Sequence, residues 1–251
     1  MIFKKIKRFF FPEDFGCVLC GRRGDPWGSL GGAVLCSHCK EHFPKAGPHV
    51  CLCCGRPVGS KDSLCRFCAA DQSGFDRAVA VFDYRENVRS FVFDIKYHDQ
   101  PWLTKYAGRA MADKLLRLDE TIDVITYVPI HFKKKRKRGF DQAQLMAQNM
   151  AYSMGLPCET LLTRIRNTAP QSGLRDRERR ENVRNAFQIL PEKLDLIQNR
   201  CVAVVDDVMT TGSSLAEISS ILRQNGARRV IGVCFAAVGE PGTAQDGKDD
   251  S

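Results

Sequence analysis

The sequence predicts an α/β protein, a parallel sheet with helices on both faces, preceded by a small module held by metal. Three observations lead there. Fully apolar runs, such as residues 202–205 and 230–238, read as strands covered on both sides. These runs alternate with amphipathic stretches of helical length, the pattern of a parallel sheet crossed over by helices. Finally, nine of the twelve cysteines crowd between Cys17 and Cys68.

A length of 251 residues suggests about two structural units. The boundaries expected are a cysteine module over residues 11–70, a larger domain over 75–238 and a polar, disordered tail over 239–251. Residues 1–11 interleave Lys with Phe and lack the apolar segment and cleavage site of a secretory signal. They are expected to form a short helix packed on the protein itself, with an interfacial membrane helix as the alternative. No apolar run is long enough to span a bilayer.

From Phe75 the texture changes from Cys, Gly and Pro to regular elements. Residues 77–84 read as a strand, 86–97 as a helix, and 102–118 as a second helix. Residues 123–128 read as a buried strand stopped by Pro129. Asp141 is placed to cap an amphipathic helix that runs to Gly155. The strand at 202–205 is followed by a helix over 213–225, ended by Gly226, and by the last strand at 230–238.

The cysteines form four pairs, Cys17-x-x-Cys20, Cys36-x-x-Cys39, Cys51-x-x-Cys54 and Cys65-x-x-Cys68. A Cys-x-x-Cys turn aims both sulfurs at one metal, and two such turns complete a tetrahedral thiolate shell suited to zinc. Two structural zinc ions are therefore expected. Sequential pairing would join Cys17, Cys20, Cys36 and Cys39 in one site and Cys51, Cys54, Cys65 and Cys68 in the other; interleaved pairing would use the same eight sulfurs. Cys53, His38, His42 and His49 read as bystanders, and Cys158, Cys201 and Cys234 as small core residues. The segment reads as loops and knuckles, too small for an apolar core of its own, so that metal supplies its folding energy. Thiolates reserved for metal, with no export signal, point to a reducing cytoplasm.

The net charge of +9 is uneven. Residues 131–190 hold 13 Lys/Arg against 5 Asp/Glu, an excess of +8. Two zinc–tetrathiolate sites, at −2 each, would lower the whole molecule to about +5. Positive charge on the C-terminal half would steer a polyanionic ligand.

The most informative stretch is Asp206-Asp207-Val208-Met209-Thr210-Thr211-Gly212-Ser213-Ser214, directly after a buried strand. It delivers two carboxylates to the carboxyl edge of the sheet, where ligands bind in such folds. The hydroxyl-rich turn and the helix behind it offer a phosphate cradle of backbone N–H and side-chain O–H groups. The carboxylates can accept hydrogen bonds from a vicinal diol and orient Mg²⁺ through its waters. Diol, phosphate and metal together describe 5-phosphoribosyl diphosphate or a related sugar phosphate. A nucleoside-triphosphate loop is excluded by the missing Lys, and a phosphoacceptor domain by the position and the Thr-Thr-Gly. The expectation requires that these acids are not buried in an ion pair and that the turn is not closed to solvent.

This stretch closely resembles the signature of type I phosphoribosyltransferases, and residues 11–238 as a whole resemble the ComF family of competence-associated proteins. The matching pieces include Lys96-Tyr97, Val128-Pro129-Ile130, Arg138-Gly139-Phe140-Asp141-Gln142-Ala143, residues 168–174 and 179–183, and Ala186-Phe187. Asp141 departs from the family, which usually has Asn there. The resemblance implies a phosphoribosyltransferase-like domain behind a zinc-ribbon module. It implies ribose contacts from Asp206 and Asp207, a 5-phosphate held by residues 210–214, and pyrophosphate met by the loop at Pro129 and Ile130. Arg138 is the leading cation for the departing charge, with Arg175, Arg177, Arg179 and Arg180 entering on a mobile loop over residues 164–184. Any hood over an acceptor must come from residues 91–102 or the cysteine module, and the acceptor itself does not follow. The family link also implies a second function, single-stranded DNA binding with competence-machinery proteins as partners, in which the ligand site is regulatory or unused.

Overall fold

The computed structural model describes residues 16–22, 26–61, 63–70, 74–118, 120–167 and 176–240. The helix expected over residues 1–11, and all of the expected tail beyond residue 240, lie outside the described residues.

The cysteine segment is more regular than loops and knuckles. Strands β1 (Pro26–Leu30) and β2 (Ala33–Cys36) pair antiparallel, and two short helices follow, α1 (Ser37–Glu41) and α2 (Arg66–Ala69). The tight β1–β2 turn puts Gly31 at φ +52 against helix α4 of the larger domain (Thr104–Leu116), where a Cβ would lie 2.2 Å from the Tyr106 carbonyl oxygen. Only a residue without a side chain permits that approach.

The larger part begins with β3 (Arg77–Asp83), then α3 (Glu86–Tyr97), whose buried Val88, Phe91, Val92 and Ile95 recur at helical spacing. A 3₁₀ turn, Pro101–Leu103, takes the place expected for the start of α4. Next come β4 (Val124–Tyr127), α5 (Phe132–Arg138) and α6 (Gln142–Met154). A small antiparallel pair, β5 (Leu162–Arg164) with β6 (Phe187–Ile189), brackets α7 (Asp176–Val183). The chain closes with β7 (Cys201–Met209), α8 (Ser213–Gln224) and β8 (Arg229–Ala237).

The main sheet has the order β3-β8-β7-β4, with every pair parallel. Alternation along β7 sends Ala203 and Val205 to one face, where they meet Met111 of α4 with Met146 and Met150 of α6. Val202 and Val204 point to the other face, against Leu215, Ile218 and Leu222 of α8. Helices thus cover both sides, which is why the strand reads as one apolar run.

The cysteine segment shares this core instead of relying on metal alone. Phe43 packs edge-on against Phe82 and Phe91, at 4.7 and 5.7 Å between ring centres. Its backbone also pairs with the outer strand β3: Ala46 N–H donates to Val81 O, Asp83 N–H to Pro44 O, and Ala78 N–H to Cys53 O. At the opposite border, Ile125 of β4 exchanges hydrogen bonds with Pro157 and Glu159. Among the described residues no helix is long and apolar enough to cross a membrane.

Candidate functional site at the carboxyl edge of the sheet

Strand β7 carries Asp206 and Asp207 to the carboxyl edge of the sheet, three and two residues before its last residue, Met209. The two acids differ. Asp207 is 5% exposed, and its Oδ2 lies 2.8 Å from Lys96 Nζ, on the last turn of α3. The same oxygen accepts from Gln142 Nε2 at 2.7 Å. Gln142, in turn, accepts from an Arg138 guanidinium N–H through its own oxygen. Arg138 also stands 5.6 Å above the Tyr97 ring. A connected polar chain therefore runs from the open face of α5 to the buried carboxylate.

Burial opposes ionisation of Asp207, but the Lys96 ammonium and then the Gln142 amide outweigh it and hold the carboxyl below its ordinary value. Burial likewise opposes the charge on Lys96, and Asp207 overrides it, holding the ammonium above its usual range. Lys96 also favours the charged form of Asp206, but it does not prevail there. Burial first, and the neighbouring Asp207 charge second, push its carboxyl well above the ordinary range. One acid is ionised and paired while the other keeps its proton past the usual pH. The sequence reading required acids outside an ion pair; for Asp207 the structure has an ion pair with Lys96, made through Oδ2.

The turn after β7 is built as a helix entrance. Gly212 adopts φ +82, and α8 starts at Ser213. Thr211 Oγ1 lies 2.9 Å from Ser213 Oγ and accepts from the Ser213 N–H at 3.3 Å. Asp206, Val208, Met209, Thr210, Gly212, Ser213 and Ser214 line a cavity of about 10 Å³, room for about one water. The turn is therefore drawn in, and a sugar phosphate needs it to open.

Asp141 does more than cap α6. Its Oδ1 accepts from Ala143 and Gln144 N–H, and its Oδ2 from Ile130 N–H at 2.9 Å. One carboxylate thus fixes the loop after β4, with Pro129 and Ile130, to the start of α6. The lysine and arginine run that follows folds as α5, none of whose residues is buried. A stretch with no apolar periodicity gave no sign of this helix. Arg164 stands 5.1 Å above the Phe187 ring in the β5–β6 pair, from which the polar stretch projects. Arg175, and the side chains of Arg177, Arg179 and Arg180, lie outside the described residues.

The eight cysteines gather as two clusters, Cys17, Cys20, Cys36 and Cys39, and Cys51, Cys54, Cys65 and Cys68. In each, the sulfurs lie within 4.8 Å of one another. Ideal tetrahedral bonds of about 2.3 Å place sulfurs about 3.8 Å apart. The Cys20–Cys36 and Cys54–Cys65 separations, 3.7 and 3.6 Å, fit that shell. Hydrogen bonds from the Cys54, Cys65 and Cys68 thiols hold Cys51 far below the ordinary thiol value. The pairing is the sequential one, and Cys53 stays outside it. Beside the second cluster Arg56 is 2% exposed, donates from Nε to Cys54 Sγ at 3.4 Å and covers the Phe67 ring at 4.6 Å. A buried cation there offsets the negative charge of a zinc–tetrathiolate group.

The sequence reading missed the roles of Lys96, Gln142 and Arg56. Lys96 sits where a cation merely complements the end of a helix, and that ordinary explanation hides its long-range partner. Gln142 immediately follows a capping residue and looks like the first residue of a helix and nothing more. Within the stretch expected to supply a hood, Phe91 is fully buried, whereas Phe93 and Tyr97 are 50% and 63% exposed. Their spacing of four on one helix was the available signal.

Comparison with known proteins places these features in context. The double zinc ribbon domain family matches residues 6–69. Competence protein F of Haemophilus influenzae is 30% identical over 226 residues, covering 86% of this chain and 94% of its own length. DNA utilization protein YhgH of Escherichia coli O157:H7 is 32% identical over 211 residues, 80% of this chain and 89% of the relative. Among solved structures, the allosteric regulatory enzyme of purine biosynthesis aligns with 57% of this chain and 30% of its own, at 19% identity and a TM-score of 0.40.

Proposed function

The chain belongs to the family of competence protein F and DNA utilization protein YhgH, and on that premise we propose that it is a phosphoribosyltransferase-like protein of DNA uptake and use, binding 5-phosphoribosyl diphosphate with Mg²⁺ at the carboxyl edge of its sheet. One observation carries the reading: two adjacent carboxyls at the end of β7 and a hydroxyl-lined helix entrance share that edge. Asp206 and Asp207 accept hydrogen bonds from the ribose diol. The backbone and hydroxyls of Thr210, Thr211, Gly212, Ser213 and Ser214 take the 5-phosphate. The loop at Pro129 and Ile130, pinned by Asp141, faces the diphosphate.

If transfer occurs, pyrophosphate leaves C1 of the ribose with the bonding pair, while the lone pair of an acceptor nitrogen forms the new bond to C1 and that nitrogen gives up a proton. Mg²⁺ bound with the diphosphate would offset the charge that grows on it. Arg138 lies one hydrogen-bonded residue from Asp207, and Lys96 touches that carboxylate directly, so release of Lys96 by the diol frees a second cation for the leaving group. Eight of the twelve cysteines gather in the two metal-binding clusters; in this reading residues 11–70 act as a zinc-held module beside a domain over residues 75–238, in a reducing cytoplasm.

Calorimetric titration of the zinc-loaded protein with 5-phosphoribosyl diphosphate and Mg²⁺ tests the reading. Saturable heat is expected, and it should vanish in the Asp206→Asn, Asp207→Asn double variant. Equal heat in the variant, or none in the wild type, rejects the site. Pyrophosphate release on adding nucleobases or amines then separates transfer from binding alone.

The exposed Phe93–Tyr97 pair favours a second reading. Its rings lie 4.7 Å apart, and Arg138, the last residue of the unburied basic helix α5, stands over the Tyr97 ring. Stacking aromatics next to a basic track suit single-stranded DNA. In that reading, binding weakens steeply with salt and the ligand site regulates it. Binding that ignores salt, or that survives Tyr97→Ala with Phe93→Ala unchanged, excludes it.

A further inference from the structure

At the opposite, amino edge of the sheet lies a cavity of about 370 Å³, lined by Asp76, Glu120, Thr121, Arg223, Arg228 and Arg229. That volume falls within the range of small-ligand sites, about 300–1,000 Å³. Strand β7 separates it from the phosphate turn by nine residues at about 3.3 Å each, so it is a different place from the carboxyl-edge site.

Its charges do not cancel. Among the described residues, the ion pairs in and beside the cavity join five arginines, Arg77, Arg200, Arg223, Arg228 and Arg229, to the three carboxylates of Asp76, Glu120 and Asp123. The acids are already occupied. Asp76 accepts from the Val230 N–H at 2.7 Å and pairs with Arg223. Asp123 accepts from the Cys201 N–H at 2.7 Å and holds Arg200 and Arg228 at 3.8 and 3.5 Å. Glu120 takes Arg229 at 3.0 Å and Arg77 at 3.6 Å. Each guanidinium offers five N–H donors in a rigid fork, and these contacts engage only part of them. The side chains of Arg228 and Arg229, both in the cavity lining, are 56% and 45% exposed, so donors that the acids leave unused can meet a ligand there. Two positive charges are left over on forks that the acids hold in place.

We propose that this cavity binds a small phosphate-bearing dianion through Arg228 and Arg229, which line it, independently of the phosphoribosyl site. A dianion matches the surplus of two, and paired oxygens match the guanidinium forks. The chemistry is shared by free phosphate and by a nucleoside monophosphate, and the test separates them.

Full-length, zinc-loaded protein labelled with ¹⁵N-arginine is titrated with inorganic phosphate, and separately with adenosine 5′-monophosphate, at ionic strength fixed with chloride. The expected result is saturable shifts of the Arg228 and Arg229 side-chain N–H signals, with half-saturation at about 1 mM or below. Stronger binding of the nucleotide assigns a nucleotide, and equal or stronger binding of phosphate assigns the free ion. Arg228→Ala with Arg229→Ala should weaken binding at least tenfold, while Asp206→Asn with Asp207→Asn leaves it unchanged. Shifts that fail to saturate overturn the proposal, as do shifts abolished by the carboxyl-edge variant. The wild-type titration decides the matter even if the arginine variant folds poorly.

Discussion

At the carboxyl edge of the sheet a half-buried lysine pairs with a buried aspartate, whereas at the amino edge the described ion pairs join five partly exposed arginines to three carboxylates. The first arrangement shields one pair in one geometry. The second leaves its guanidinium groups in contact with water, so that a ligand can add to them. Burial, rather than the number of ion pairs, therefore decides what each edge contributes to stability and how it responds to an anion.

The largest test of that contrast is Lys96→Met. It leaves Asp207 buried without a paired cation and should cost about 3–5 kcal/mol, read from the urea midpoint. Adding Asp207→Leu should recover most of the loss; a single variant within about 1 kcal/mol of wild type would break the comparison. Asp141→Ala comes next, at about 1–2 kcal/mol, because three backbone N–H groups lose their acceptor. Faster hydrogen exchange at Ile130, Ala143 and Gln144 should accompany it.

Proton linkage sharpens the picture further. Folded Asp206 keeps a proton that an unfolded aspartate, at its ordinary 3.8, has lost. The folded state binds more protons, so stability should fall as pH rises from that value toward the raised one. Asp207 has the opposite sign: its contribution is present above the ordinary value and disappears as pH falls through the lowered one. Urea midpoints measured upward from about pH 4 should show the falling limb in the wild type and not in Asp206→Asn. The smallest effect belongs to the amino edge. Arg228→Ala should change stability by about 0.5 kcal/mol or less, and added salt should erase even that.

Much of the fold was legible because its signals are local. The limits of α3 match the expected ones, and α6, capped by Asp141 and ended at Gly155, lies where the sequence puts it. Buried strands β7 and β8 showed as apolar runs, although β7 continues through the polar Asp206 and Asp207 to Met209. Helix α5 was invisible because six cations carry no apolar stripe, and three-residue strands such as β5 and β6 are too short for alternation to register. The eight cysteines were readable from spacing alone. Their pairing was not, since either arrangement satisfies the same turns. The Lys96–Asp207 contact was out of reach for a different reason: nothing in a helix end or a strand end states which distant element will face it.

The pairing of residues 44–46 with β3 has a consequence for the protein without its metal. If the cysteine segment loosens when zinc is withdrawn, the border strand of a fully parallel sheet loses its cover, and a row of unsatisfied amide and carbonyl groups is presented to solvent. A second molecule could then join by strand addition. The metal sites would thus guard against aggregation, and chelation should yield sedimenting assemblies rich in intermolecular β-structure before it yields a dispersed unfolded chain.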